Sequence, residues 1–244
     1  MISIIQITDP HLTRHKNTEI KSCKTNSSFE RVLQNVVSNE QIDFIIVSGD
    51  ISDDGSKESY QFYKNTLESL KKPFVSIPGN HDNKDNFKLV FQKDFPNISC
   101  IPLSDEWGLI TLDSSVDDEE GGVLTDKQIK TAQDLIEASL HKNLILCLHH
   151  QPINMGFWID EIGLQNKDQF LSLILDQPKV KAVVWGHVHH EYQTTLGSIL
   201  FMSTPSTCYQ FGEDETNQSR QKPGYRKIYL YDLGKLTTQV VRIN

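Results

Sequence analysis

Short runs of aliphatic and β-branched residues recur along the chain, separated by longer amphipathic stretches. ISIIQIT (2–8), FIIVS (44–48), FVSIP (74–78), LILCL (144–148) and AVVW (182–185) are apolar at nearly every position, the pattern of strands buried on both faces. Between them, SSFERVLQNVVSNE (27–40) carries Phe29, Val32, Leu33, Val36 and Val37 at helical spacing, with Ser27 and Glu30 spaced as a capping box. KESYQFYKNTLESLKK (57–72) and TDKQIKTAQDLIEASL (125–140) predict two further helices. This β–α alternation predicts a largely parallel sheet flanked by helices. Past residue 190 the pattern changes: SILFMST, RKIYLYDL and LTTQVVRI are strand-like and joined by short polar connectors, which predicts a second, more antiparallel sheet. No repeat, low-complexity tract or composition break interrupts the chain. The expected organisation is one domain spanning 1–244, its C-terminal part (about 191–244) completing the second sheet.

Composition narrows the picture. A chain of 244 residues is long enough to bury a substantial core. No apolar run approaches the ~20 residues of a membrane helix, and MISIIQITDP lacks the basic start and small-residue cleavage site of a signal peptide. Cys23, Cys100, Cys147 and Cys208 are scattered with no CxxC pair, as expected of free thiols in a reducing cytoplasm. A net charge of −8 speaks against a protein that grips nucleic acid through a broad basic surface.

The chemistry sits where the strands end. In open α/β sheets, ligands bind beyond the carboxyl ends of the strands. TDPHL offers Asp9 and His11, SGDISDDG offers Asp50, and PGNHDN offers Asn80, His81 and Asp82. LHHQP adds His149 and His150, and WGHVHH adds His187 and His189. A lone D-x-H or H-x-H is a common surface coincidence, and Asp50 or Asn80 alone fits a turn or a cap. Their recurrence at five successive strand ends is what separates them from coincidence. Mixed imidazole and carboxylate donors suit borderline cations such as zinc, manganese and iron. Glycines before Asp50, Asn80 and His187 are expected to supply the positive φ that turns ligands inward. Seven donors exceed the needs of one ion and suit two about 3.5–4 Å apart, which clamp the attacking and leaving oxygens of a phosphoryl displacement and acidify a bound water.

The ordered set D-x-H, G-D, G-N-H-D, H and G-H-x-H, over residues 9–189, resembles the calcineurin-like metallophosphoesterases. HHQPINMGFWIDEIGLQN (149–166) and STPSTCYQFGEDETNQSRQKPGYRKIYL (203–230) further resemble the bacterial class III 3′,5′-cyclic-nucleotide phosphodiesterases. The resemblance implies a two-layered α/β sandwich of mixed sheets flanked by helices. It implies that Asp9, His11 and His189 hold one metal ion and Asn80, His149 and His187 a second, with Asp50 bridging both. The ions would be manganese, iron or zinc. It further implies hydrolysis of cyclic AMP to 5′-AMP by a hydroxide that bridges the metals, with His81 facing the phosphate or its leaving group. Asp53 is expected to orient His81, with Asp82 as its competitor. Asn80, His81 and His150 are the expected substrate contacts. The partner is a small cyclic nucleotide or another phosphodiester, and a homodimer fits the resemblance, with CYQF as the candidate interface. Thr8 and Gln151 depart from the commonest family motifs without touching an expected ligand.

Rival functions share this core. Linear diesters such as glycerophosphodiesters are the main alternative substrates. A nuclease is disfavoured by the acidic balance, and a non-catalytic scaffold by the presence of all seven ligands and His81. The acidic run 117–122 reads as a solvated loop rather than a metal site. Phe157 and Trp158 either border the substrate pocket or cover core. Cys208 reads as a small buried residue, since no base is expected beside it.

Overall fold

The structure is a computed structural model that describes residues 1–91, 98–211 and 221–243. In chain order the strands and helices are β1 (Ile2–Ile7), β2 (Glu19–Ile20), β3 (Cys23–Lys24), α1 (Thr25–Asn39), β4 (Phe44–Val47), α2 (Lys57–Ser69), β5 (Phe74–Ser76), α3 (Lys84–Phe91) and β6 (Cys100–Pro102). Then follow β7 (Trp107–Thr111), α4 (Asp126–Ala138), β8 (Asn143–Cys147), α5 (Lys167–Ile174), β9 (Val180–Trp185), β10 (Tyr192–Leu196), β11 (Ile199–Ser203), β12 (Gly224–Leu230) and β13 (Leu236–Arg242). One sheet has the order β13-β12-β1-β4-β5 and the other β10-β11-β9-β8-β7-β6. Both are mixed: β1, β4 and β5 run parallel, as do β7, β8, β9 and β11, while β12, β13, β6 and β10 pair antiparallel.

The uniform apolar strands are explained by period-two burial between layers. In β1 and β4, Ile5, Ile7, Ile45 and Val47 pack outward against Phe29, Tyr60 and Tyr63 of α1 and α2. Ile4 and Ile46 point inward, where they meet Ile145, Val184 and Trp107 of the second sheet. Leu144, Leu146, Val183 and Trp185 face outward onto Ile136 and Phe170 of α4 and α5. The molecule is therefore layered helix, sheet, sheet, helix. No helix among the described residues is long and apolar enough to cross a membrane.

Three sequence expectations are corrected. The five N-terminal strand runs do not share a sheet, since β1, β4 and β5 build one and β8 and β9 the other. The C-terminal region does not simply complete the second sheet: β10 and β11 extend it, while β12 and β13 cover the open edge of β1 in the first. Strand pattern encodes burial but not which distant edge a strand will pair with. Helix α1 begins at Thr25 without a side-chain cap, so Ser27 and Glu30 lie inside it, Glu30 pairs with Lys16 at 2.8 Å, and Val37 is exposed. The capping box forms instead at Thr125 and Gln128 of α4.

Two polar residues on the inner faces join the sheets. Gln6 donates to Ser48 Oγ (2.9 Å) and to the Trp185 carbonyl (3.0 Å) across the gap. Its register partner Arg226 is 1 % exposed and has no carboxylate within ion-pair distance among the described residues. Arg226 donates to the Ser203 carbonyl from Nε (3.2 Å) and Nη2, and from Nη1 to Thr238 Oγ1 (3.0 Å). Burial pushes the guanidinium down to about 10, so it stays charged at neutral pH. Replacing it leaves buried carbonyls without donors. Arg226→Leu is expected to lower the unfolding free energy by about 3 kcal/mol, read as a drop in urea midpoint. An unchanged midpoint would remove the guanidinium as the clamp between sheets.

Candidate metal centre

All the expected ligands come together at one end of the sandwich. Asp9 and His11 follow β1, Asp50 follows β4, and Asn80 follows β5, all in the first sheet. His149 follows β8, and His187 and His189 follow β9, in the second. The site therefore straddles the gap between the sheets.

The backbone there is strained. Asp9 (φ 49°), His11 (45°), Asp50 (51°), His187 (65°) and His189 (44°) all occupy the left-handed region, which costs of order 1–3 kcal/mol for a non-glycine residue. Local bonds hold them: Asp9 N–H donates to Gly49 O and His11 N–H to Asp50 O, both at 3.0 Å. His187 N–H donates to the Asp9 carboxylate at 3.0 Å. Both members of each i, i+2 pair are bent this way, and this turns both side chains to one side. The glycines act differently from expectation. Of the three, only Gly49 has positive φ (104°). Gly79 is needed for closeness, because a Cβ there would strike the Asp50 carboxylate and the His149 ring.

The hydrogen bonds fix which nitrogens remain free. His189 Nδ1 donates to the Tyr209 carbonyl (2.8 Å), and His149 Nδ1 to the Ser48 carbonyl (2.7 Å). His11 Nδ1 faces the Asp53 carboxylate (3.2 Å). With that donor committed, a neutral ring presents only a lone pair at Nε2. Yet His11 Nε2 and His189 Nε2 lie 3.0 Å apart, and His149 Nε2 lies 3.1 Å from Asn80 Oδ1 and 3.3 Å from Asp50 Oδ1. His187 Nε2 is buried with no hydrogen-bond partner among the described residues. Opposed lone pairs and an orphaned buried nitrogen are what a cation would reconcile, so the donor set fits metal ions. The anchoring of His11, His149 and His189 through Nδ1 is the usual outer support of such ligands.

Charge points the same way. Burial holds His11 and His187 below their ordinary range, which keeps them unprotonated, as ligands must be. Burial alone would raise Asp50, but His149, His81 and His11 around it hold it well below the usual carboxylate range. Burial would lower His149, yet Asp50 and Asp9 push it up to about 9. A proton is drawn to the point where the carboxylates would otherwise meet a cation. The groups Asp9–His11–His189 and Asp9–Asp50–His149 each bring their donor atoms within 4.8 Å.

The remaining expected residues divide. His81 is 43 % exposed, packs edge-on against His11 at 4.7 Å, and has Nδ1 3.8 Å from Asp53 Oδ1. Asp82 is turned away. Its carboxylate accepts from Gly79, Ile51 and Ser52 N–H and from Tyr60 O–H, and so braces two ligand loops. His150, expected to touch substrate, is fully buried, with Nδ1 2.8 Å from Ser114 Oγ and Nε2 3.1 Å from the Glu120 carbonyl. Both its nitrogens are engaged, so it lies beneath the site and offers a substrate nothing. Cys208 is buried as expected, its thiol 3.2 Å from the Asp9 carbonyl.

Sequence reasoning missed the covering layer. Phe211 stacks on His189 at 4.2 Å and Tyr209 lies 4.8 Å from the same ring. Their i, i+2 spacing after the last ligand is the signal the sequence offers, although CYQF reads there only as a candidate interface. The acidic run proves to be a wall: Asp117–Glu120 face Asn80, His81 and Asp53 across a cleft of about 620 Å³. Lys84 secures it through Ser115 O (2.8 Å) and Asp113 (3.3 Å). Residues 212–220 of the C-terminal motif lie outside the described residues.

Two mixed sheets packed face to face, with oxygen and imidazole donors gathered at their strand ends, define a metallophosphoesterase. The calcineurin-like phosphoesterase family matches residues 2–191, and the chain belongs to that family. It is 36 % identical to a 3′,5′-cyclic adenosine monophosphate phosphodiesterase of Vibrio vulnificus, over 99 % of this chain and 90 % of that protein. It is 31 % identical to a 3′,5′-cyclic-nucleotide phosphodiesterase of a Nostoc species, over 99 % and 92 % of the two chains. In fold it is similar to a dimetal phosphatase from Danio rerio, with TM-score 0.70 at 12 % identity and 99 % and 98 % coverage.

Proposed function

We propose that this protein is a metal-dependent phosphodiesterase that converts 3′,5′-cyclic AMP to 5′-AMP. The observation that carries the reading is the buried set of imidazoles whose inward nitrogens face one another around Asp50. Full-length similarity to enzymes named for this substrate supports the choice of diester.

Asp9, His11 and His189 would hold one ion and Asn80, His149 and His187 the other, with Asp50 shared. Manganese, iron or zinc suits this mixture of oxygen and nitrogen donors. Such a pair neutralises phosphate oxygens and lowers the pKa of water. The chain's own residues do the rest. His81 and Asp53 border the cleft side by side. Asp53 orients His81 through Nδ1, which leaves Nε2 to deliver a proton to the departing 3′ oxygen. Asp53 also fixes His11, so one carboxylate aligns a ligand and the proton donor together. The carboxylate wall at 117–120 suits a compact monoanion better than a polyanion.

The test is product analysis with manganese-loaded protein. Chromatography is expected to show 5′-AMP, with no 3′-AMP, and metal-dependent turnover of cyclic GMP as well. Protein active on glycerophosphodiesters but inert toward cyclic AMP would overturn the substrate assignment.

A further inference from the structure

Three tryptophans occur in the chain, and two are core residues: Trp107 is 1 % and Trp185 0 % exposed. Trp158 is 51 % exposed and sits beside the candidate site. Its ring meets Phe211 edge-on at 5.4 Å, and Phe211 stacks on the candidate ligand His189 at 4.2 Å. Phe211 is itself covered, with His189 on one side and the Lys21 ammonium 4.6 Å from its ring centre. Among the described Phe, Tyr and Trp residues around His189 and His190, Trp158 is the exposed one, while Phe157, Tyr209 and Phe211 are half-buried.

Its exposure is built rather than incidental. The next residue, Ile159, is 1 % exposed and anchors the turn in the core. Asp160 folds back to accept Met155 N–H and Gly156 N–H, each at 2.7 Å. Gln151, two residues beyond His149, donates to the Ile159 carbonyl at 2.7 Å. The turn that presents Trp158 is thereby tied to the loop that presents a metal ligand. A large apolar ring held half in water at the rim of a phosphate site has a ready complement. Nucleobases offer flat π-faces of similar size and stack on aromatic side chains with little regard to base identity.

We propose that Trp158 is the nucleobase platform of the site and makes it selective for nucleoside cyclic phosphates over diesters without a base. The inference rests on the phosphodiesterase reading above. Stacking alone predicts that purines are preferred to pyrimidines, and that adenine and guanine are accepted alike.

Because the other two indoles are buried, the emission change on adding a ligand from solution belongs to Trp158. Titrating manganese-loaded protein with 5′-AMP is expected to quench emission, whereas inorganic phosphate leaves it unaltered. Trp158→Phe should retain AMP affinity by calorimetry but lose the quench. Trp158→Ala should lower the ratio of kcat/KM for cyclic AMP to that for base-free ribose 3,5-cyclic phosphate by roughly tenfold, a typical stacking contribution. Equal responses to AMP and phosphate, or an unchanged ratio in Trp158→Ala, would overturn the platform while leaving cyclic AMP hydrolysis intact. An AMP-specific quench in a protein that fails to hydrolyse cyclic AMP would support the platform and remove the reaction instead. Emission that shifts with protein concentration alone would place a second copy on the indole and also overturn the proposal.

Discussion

Asp50→Ala is expected to lose at least one metal ion per chain and essentially all turnover. The carboxylate is 2 % exposed, lies 3.3 Å from His149 Nε2 and 3.6 Å from His11 Nε2, and so faces donors of both proposed ions. It also accepts the His81 backbone N–H at 3.0 Å, which holds the Asn80–His81 loop against the site. Removing it takes away a shared donor, negative charge and a loop anchor together. The loss should exceed the roughly 10–100-fold that follows removal of an outer-shell partner of a metal ligand. Asp50→Asn keeps shape and hydrogen bonding but not charge, and should still lose metal. Elemental analysis beside a diester assay is decisive: two ions per chain with normal turnover would remove Asp50 from the centre.

His81→Ala separates chemistry from metal binding. The ring is half in solvent and packs on His11, but the donor contacts that join His11 to His189 and Asp50, and His149 to Asp50, are made without its imidazole. Both ions should remain, while turnover of cyclic AMP falls by roughly 10²–10⁴, the range for a positioned proton donor. For a p-nitrophenyl diester, whose leaving group needs little protonation, the fall should be much smaller. Loss of metal in this variant would make His81 a ligand.

The ligand set was legible because each donor follows a strand that declares itself by an uninterrupted apolar run. What those runs do not carry is partnership across the molecule. Nothing in RKIYLYDL says that it will pair with β1 rather than extend the second sheet, since the edge it meets lies more than two hundred residues away. Strand β7, with a glycine at its second position, and the eight-residue helices α3 and α5 are too short for a periodic signal. The C-terminal motif was visible as a resemblance without a mechanism. The structure assigns its parts physical work: Arg226 joins the sheets, Cys208 lies against the Asp9 backbone, and Tyr209 fixes His189. His150 shows the opposite failure. Its neighbour His149 made it look chemical, yet Ser114 and the Glu120 carbonyl occupy it completely.

The division of donors between the sheets has a mechanical consequence. The first sheet supplies every oxygen donor, from Asp9, Asp50 and Asn80, while the second supplies only imidazoles, from His149, His187 and His189. Neither layer alone completes the set, so bound cations would act as rivets through the laminate, and any shear between layers would work against them. Occupancy at a hundred times the dissociation constant adds about 2.7 kcal/mol per site to folding stability. The resistance of this protein to unfolding would then be a gauge of the metal supply around it.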